Sequence, residues 1–172
     1  MAKRIVKQKQ NNVAPVAIAA DDARNLTFAL SLLSAVLYAL RLNATRTVGF
    51  GDSEALYACY AMHPAAAYLD HPGLIGVIAR LIGSGSAPTP EAAHTITSLL
   101  ATAVPWIGNG TARALGATRR GGALCGLALL VAPEMAVGLF AMTPDLPLAI
   151  GWLTALACAG TALRSDPKSL RA

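Results

Sequence analysis

Three short acidic motifs hold the side chains best suited to chemistry in this chain of 172 residues. The first is Gly51-Asp52-Ser53-Glu54-Ala55-Leu56-Tyr57. The second is Tyr68-Leu69-Asp70-His71-Pro72-Gly73-Leu74, and the third Met142-Thr143-Pro144-Asp145-Leu146-Pro147-Leu148. A carboxylate can act as a general base toward an acceptor hydroxyl or as an oxygen ligand for a divalent metal. Taken singly, each also has a structural use: Asp52 as a helix cap, Asp70 as a turn residue before proline, Asp145 as the cap of a helix with Pro147 in its first turn. Their interest lies in their joint placement, because the hydropathy pattern puts all three motifs on one face of a membrane.

That pattern begins with composition. Hydrophobic residues make up 55% of the chain and charged residues only 13%, against about 25% charged in an ordinary soluble domain. Aromatic residues are 5%, so the apolar character comes from long runs of Ala, Leu, Val and Ile, whose natural use is helices crossing lipid. A crossing takes roughly 20 mostly apolar residues, which selects 25–44, 92–115, 121–142 and 146–163. The expected fold is therefore an all-α integral membrane protein of about four transmembrane helices, with short interfacial helices in the first external loop. The second span is the most polar of the four, carrying His94, Pro105 and Asn109, and should face protein rather than lipid. Glu134 falls inside the third, where a carboxylate is expected to seek a partner such as His94 or Asn109.

Charge sets the orientation. Eleven of the fourteen basic residues (Lys3, Arg4, Lys7, Lys9, Arg24, Arg113, Arg119, Arg120, Arg164, Lys168 and Arg171) fall on one side of a four-span chain. Asp52, Glu54, Asp70, Glu91 and Asp145 fall on the other. By the positive-inside tendency the basic side is cytoplasmic. Residues 1–24 then form a basic cytoplasmic N-terminus, 25–163 the membrane domain with an external loop at 45–91, and 164–172 a cytoplasmic tail. In the loop, 53–62 reads as a short helix capped by Ser53 or Asp52. The apolar stretch 74–82 is too short to cross and should lie in the interface, with Arg80 reaching the headgroups. Tyr57, Tyr60 and Tyr68 suit an interfacial belt or stacking on a sugar. No cleavable signal peptide is evident. Cys59, Cys125 and Cys158 are too scattered for a disulfide framework, and the histidines lack zinc spacing. The net charge of +5 comes without the aromatic platform that nucleic-acid binding uses.

In order and spacing the three motifs resemble those of the membrane-embedded GT-C glycosyltransferases, in particular the branch containing dolichyl-phosphate-mannose protein mannosyltransferases and bacterial aminoarabinose transferases. Asp52-Ser53-Glu54 matches an acidic motif after the first span, Asp70-His71-Pro72-Gly73-Leu74 one after a short external helix, and Thr143-Pro144-Asp145-Leu146-Pro147-Leu148 one opening the fourth span. Gly73 stands where a second proline is usual, and Ser53 separates two acids that are often adjacent. The resemblance implies transfer of a sugar from a polyprenyl-phosphate donor to an acceptor hydroxyl on the external face, with inversion. It makes Asp52 the base and Glu54 and Asp145 further catalytic carboxylates. It gives Asp70 to a divalent metal near the lipid phosphate, and His71 and Tyr57 to substrate. It further implies a bacterial inner membrane with both termini cytoplasmic. Relatives carry more spans, so activity is expected to need further spans or a second membrane chain. The alternatives are a noncatalytic relative that keeps the lipid-binding surface and, less favoured because no internal repeat is visible, a small transporter subunit built around Glu134.

Overall fold

A computed structural model describes the backbone of residues 14–69 and 73–165, and the side chains of residues 21–69 and 73–164. The described residues form α1 (Ala14–Ala44), α2 (Asp52–Met62), α3 (Leu74–Ile82), α4 (Pro90–Ala114), α5 (Arg119–Val131), α6 (Pro133–Ala136) and α7 (Asp145–Ser165), with a 3₁₀ turn at Gly138–Phe140. Local chemistry sets several of these boundaries. The Thr89 hydroxyl accepts from the Ala92 N–H at 3.3 Å, with Pro90 in the first turn of α4. The Thr118 hydroxyl accepts from the Gly121 N–H at 3.1 Å and opens α5. Both use a side-chain oxygen to satisfy an N–H that has no partner in the first helical turn.

Helix α4 is the centre of the bundle, packed against α1, α5 and α7. Its buried residues Ala93, Thr97, Ala101, Val104, Gly108 and Thr111 recur every three or four positions, which is one face of a helix. The residues are small, so backbones approach closely. Gly126 of α5 shows the close fit between three helices: a Cβ there would fall 2.8 Å from the Pro105 carbonyl oxygen and 2.9 Å from Leu30 Cδ2. Polar side chains fill part of this interior, among them His94, Thr97, Ser98 and Thr111. The large apolar ones face outward, including Phe28, Leu32, Leu33 and Leu40 on α1 and Leu148, Trp152 and Leu163 on α7. Apolar side chains on the outside of α1 and α7 suit helices long and apolar enough to cross a membrane.

Two helical segments, Asp21–Ala44 and Asp145–Arg164, are long and apolar enough to cross a membrane. A third crossing is available if Arg119–Val131 and Pro133–Phe140, bent by 75° where they meet, act as one. The span expected over 121–142 is thus a helix broken at Ala132 and Pro133. Pro133 lacks an N–H and disfavours helical geometry at the residue before it, and Ala132 accordingly adopts extended φ −64, ψ 125. The break moves Glu134 into the short α6, where it is exposed. His94, one of its expected partners, binds Glu54 instead, while the buried Asn109 Oδ1 has no hydrogen-bond partner among the described residues.

The segment 45–91 contains α2 and α3 as the sequence predicts, with two local differences. Gly51, rather than Asp52 or Ser53, is the N-cap of α2, because Glu54 in the third helical position reaches back to the Gly51 N–H at 3.1 Å and supplies the cap interaction itself. Arg80 does not simply extend toward headgroups: its Nη1 donates to the Ala61 carbonyl at 2.9 Å, compensating the negative C-terminal end of α2.

Candidate functional site

The first and third acidic motifs meet in space although 88 residues separate their contact points, and Glu54 joins them. Its Oε1 accepts from the Met142 backbone N–H at 2.7 Å and lies 2.9 Å from His94 Nε2. Its Oε2 accepts from the Gly51 N–H at 3.1 Å. One carboxylate therefore ties together the start of α2, the first turns of α4 and the segment leading into α7. Glu54 is 7% exposed and His94 is fully buried. The Met142 N–H and His94 Nε2 thus converge on the same oxygen. The buried His94 Nδ1 has no hydrogen-bond partner among the described residues.

The surroundings of the pair are apolar. Phe50 meets the His94 ring edge-on at 5.8 Å and Phe140 lies tilted against it at 4.3 Å. Thr97, one turn further along α4, donates to the Phe140 carbonyl at 2.5 Å. Tyr57, Ala58, Ala61, Ile75, Ala79, Ala93 and Met142 form the hydrophobic cluster beside it. Helices α2 and α3 are thereby pinned to the top of α4 by a polar strut inside an apolar shell.

Two carboxylates are left on the outside of this corner. Asp52, two residues before Glu54, is exposed, and so is Asp145, three residues after Met142. The Thr143 hydroxyl donates to Asp145 Oδ2 at 3.1 Å, holding that carboxylate at the start of α7. An exposed carboxylate is free to receive a proton from a bound hydroxyl. Glu54, with its oxygens already engaged by three donors, is a structural anchor in this geometry. Tyr57 is 5% exposed and packs in the core cluster, so its ring is part of the foundation of the corner rather than its rim. Asp70 and His71 of the second motif lie outside the described residues. Tyr68, just before them, is held firmly: its ring stacks on Tyr60 at 3.6 Å, and its hydroxyl contacts the Tyr60 and His63 carbonyls at 2.9 and 3.0 Å.

Among the described residues no three His, Cys, Asp or Glu side chains gather as a metal-ligand set. The described side chains alone therefore do not make a divalent-metal centre, and the position implied for one, Asp70, is not among them.

Arg41 is the contributor that sequence reasoning passed over. It sits in the last turn of α1 and is only 5% exposed. Its Nη2 donates to the Met135 and Ala136 carbonyls at 2.6 and 2.9 Å, and its Nε to Ala136 at 3.2 Å. A buried arginine in an apolar helix normally finds carbonyls or an acid, and here it caps α6 just below the corner. The signal in the sequence was its place inside the first apolar run, followed within 95 residues by a Pro-broken helix whose last carbonyls need donors. Comparison of the chain with protein-family models, with characterised proteins and with solved structures gave no match.

Proposed function

We propose that the corner built on Glu54 is the acceptor-activating site of a membrane glycosyltransferase that takes its sugar from a polyprenyl-phosphate donor. The supporting observation is the 2.7 Å hydrogen bond from the Met142 N–H to Glu54. It draws together two of the motifs on which the GT-C resemblance rests, and Asp52 and Asp145 of those motifs are both exposed. In this reading Asp52 removes the proton from the acceptor hydroxyl as that oxygen attacks the anomeric carbon, and the polyprenyl phosphate departs from the opposite side. Asp145 orients the acceptor or the sugar by hydrogen bonding. Glu54, His94 and Arg41 hold the corner rigid, which positioned catalysis requires.

The reading extends to topology. Helix α4 joins α1, α7 and the bent α5–α6 unit as a fourth crossing, its polar residues shielded by the other helices. The acidic corner then faces the external side of a bacterial inner membrane, and both termini lie in the cytoplasm. A polyprenyl-phosphate sugar carrying a photoreactive group close to its phosphate tests the reading on the full chain in membranes. Crosslinks are expected in 51–57 and 142–148. Crosslinking confined to the opposite ends of the helices, or matching that of an unrelated membrane protein, would contradict it.

A further inference from the structure

At the far end of the bundle from this corner, the helices enclose a cleft of about 1150 Å³ between α1, α4 and the start of α5. Its rim carries Arg24, Arg113, Arg119 and Arg120, with Asp21 the single acid among the lining residues. Asp21 pairs with Arg24 at 3.2 Å and Asp22 approaches Arg120 at 3.8 Å. Arg113 and Arg119 have no acidic partner among the described residues. The cleft thus concentrates positive charge that its own carboxylates do not neutralise. The N-terminus of α5, a helix of 13 residues, opens onto the same rim at Thr118 and Arg119 and adds the positive end of its dipole.

Further from the helix ends the lining is of another kind. Phe28 and Trp106 face the cleft, 68% and 37% exposed. Trp106 lies about 12 Å along α4 from its end at Ala114, by the rise of ~1.5 Å per residue. An arginine rim that grades within one helix stretch into aromatic walls matches a ligand with a phosphate at one end and hydrocarbon at the other. From His94 to Arg113 along α4 is about 28 Å by the same rise, close to the ~30 Å of a hydrocarbon core. The rim therefore stands at the depth of lipid headgroups, on the side opposite the acidic corner.

We infer that this cleft is a binding site for the phosphate of an anionic phospholipid, with the glycerol and the first acyl carbons against Phe28 and Trp106. Basic pockets between membrane helices are the expected receptors for such headgroups, and arginine holds a phosphate through paired N–H donors. The inference stands apart from the proposed transfer activity, since it uses none of the residues of the corner.

The test is lipid binding by the full chain in detergent micelles, followed by native mass spectrometry with added phosphatidylglycerol or phosphatidylcholine. Retention of phosphatidylglycerol over phosphatidylcholine is expected. The double variant Arg113→Gln/Arg119→Gln is expected to weaken it on the order of tenfold or more. Arg113→Lys/Arg119→Lys, which keeps the charge, should recover most of the binding, and Arg46→Gln, which removes a charge just past the other end of α1, should leave it unchanged. Equal retention of the two lipids, or equal weakening by Arg46→Gln, would overturn the assignment. Displacement of the lipid by millimolar inorganic phosphate would also overturn it, by making the cleft a site for soluble phosphate esters.

Discussion

At the scale of single residues, two acids separated by one serine carry different duties. Glu54 has its oxygens engaged by the Gly51 and Met142 N–H groups and by His94, while Asp52 is exposed. Removing a buried partner strands the groups it satisfied, so Glu54→Ala is expected to destabilise the protein by about 3–5 kcal/mol. Asp52→Asn should stay within about 0.5 kcal/mol of the parent. Thermal unfolding of the two variants in the same detergent distinguishes them, and equal melting temperatures would contradict the division. The sequence marked both residues as candidates because carboxylates near the end of an apolar run are few. It did not separate them, because which acid faces inward depends on where Met142 and His94 arrive, 88 and 40 residues further along the chain.

At the scale of elements, the boundaries of α2, α3 and α4 were legible in local chemistry: Pro and Gly punctuation, a threonine cap and a nine-residue apolar stretch too short to cross. The break at Ala132 was also written in the chain as Pro133, yet the continuous apolar composition on either side masked it in a reading based on hydropathy. The role of Arg41 was not legible, because its carbonyl partners exist only once the chain has bent. Arg41→Met should loosen α6 and the turn that follows it, seen as faster hydrogen exchange over 135–142 with little change in α7; unchanged exchange there would remove Arg41 as the cap. Gly126→Val places new atoms against Pro105 and Leu30, and overpacking of this kind is expected to cost about 1–3 kcal/mol. A variant as stable as the parent would mean that α1, α4 and α5 pack less closely than described.

For the whole molecule, charge and hydropathy together made part of the plan readable: an all-helical bundle with two helices long and apolar enough to cross a membrane, an arginine-rimmed cleft at one end and the joined acidic motifs at the other. The gathering of Arg24, Arg113, Arg119 and Arg120 around one cleft follows the sidedness that the linear pattern predicts. Apolarity alone identifies two crossings, or three if α5 and α6 act together; the proposed fourth, α4, carries polar residues that are buried inside the bundle. In a background with Cys59, Cys125 and Cys158 replaced by serine, Ser53→Cys and Ala117→Cys should react with an impermeant maleimide from opposite sides of sealed vesicles. Reaction from the same side would refute the topology. The most direct measurement of the central claim is sugar transfer from a radiolabelled polyprenyl-phosphate donor by membranes of the source cells, in which the protein has its natural partner chains, set against the same membranes with Asp52→Asn. The account predicts transfer by the parent and a loss of about 10²- to 10⁴-fold in the variant at unchanged folded protein level. Equal transfer by the two would contradict the assignment of Asp52 as the base.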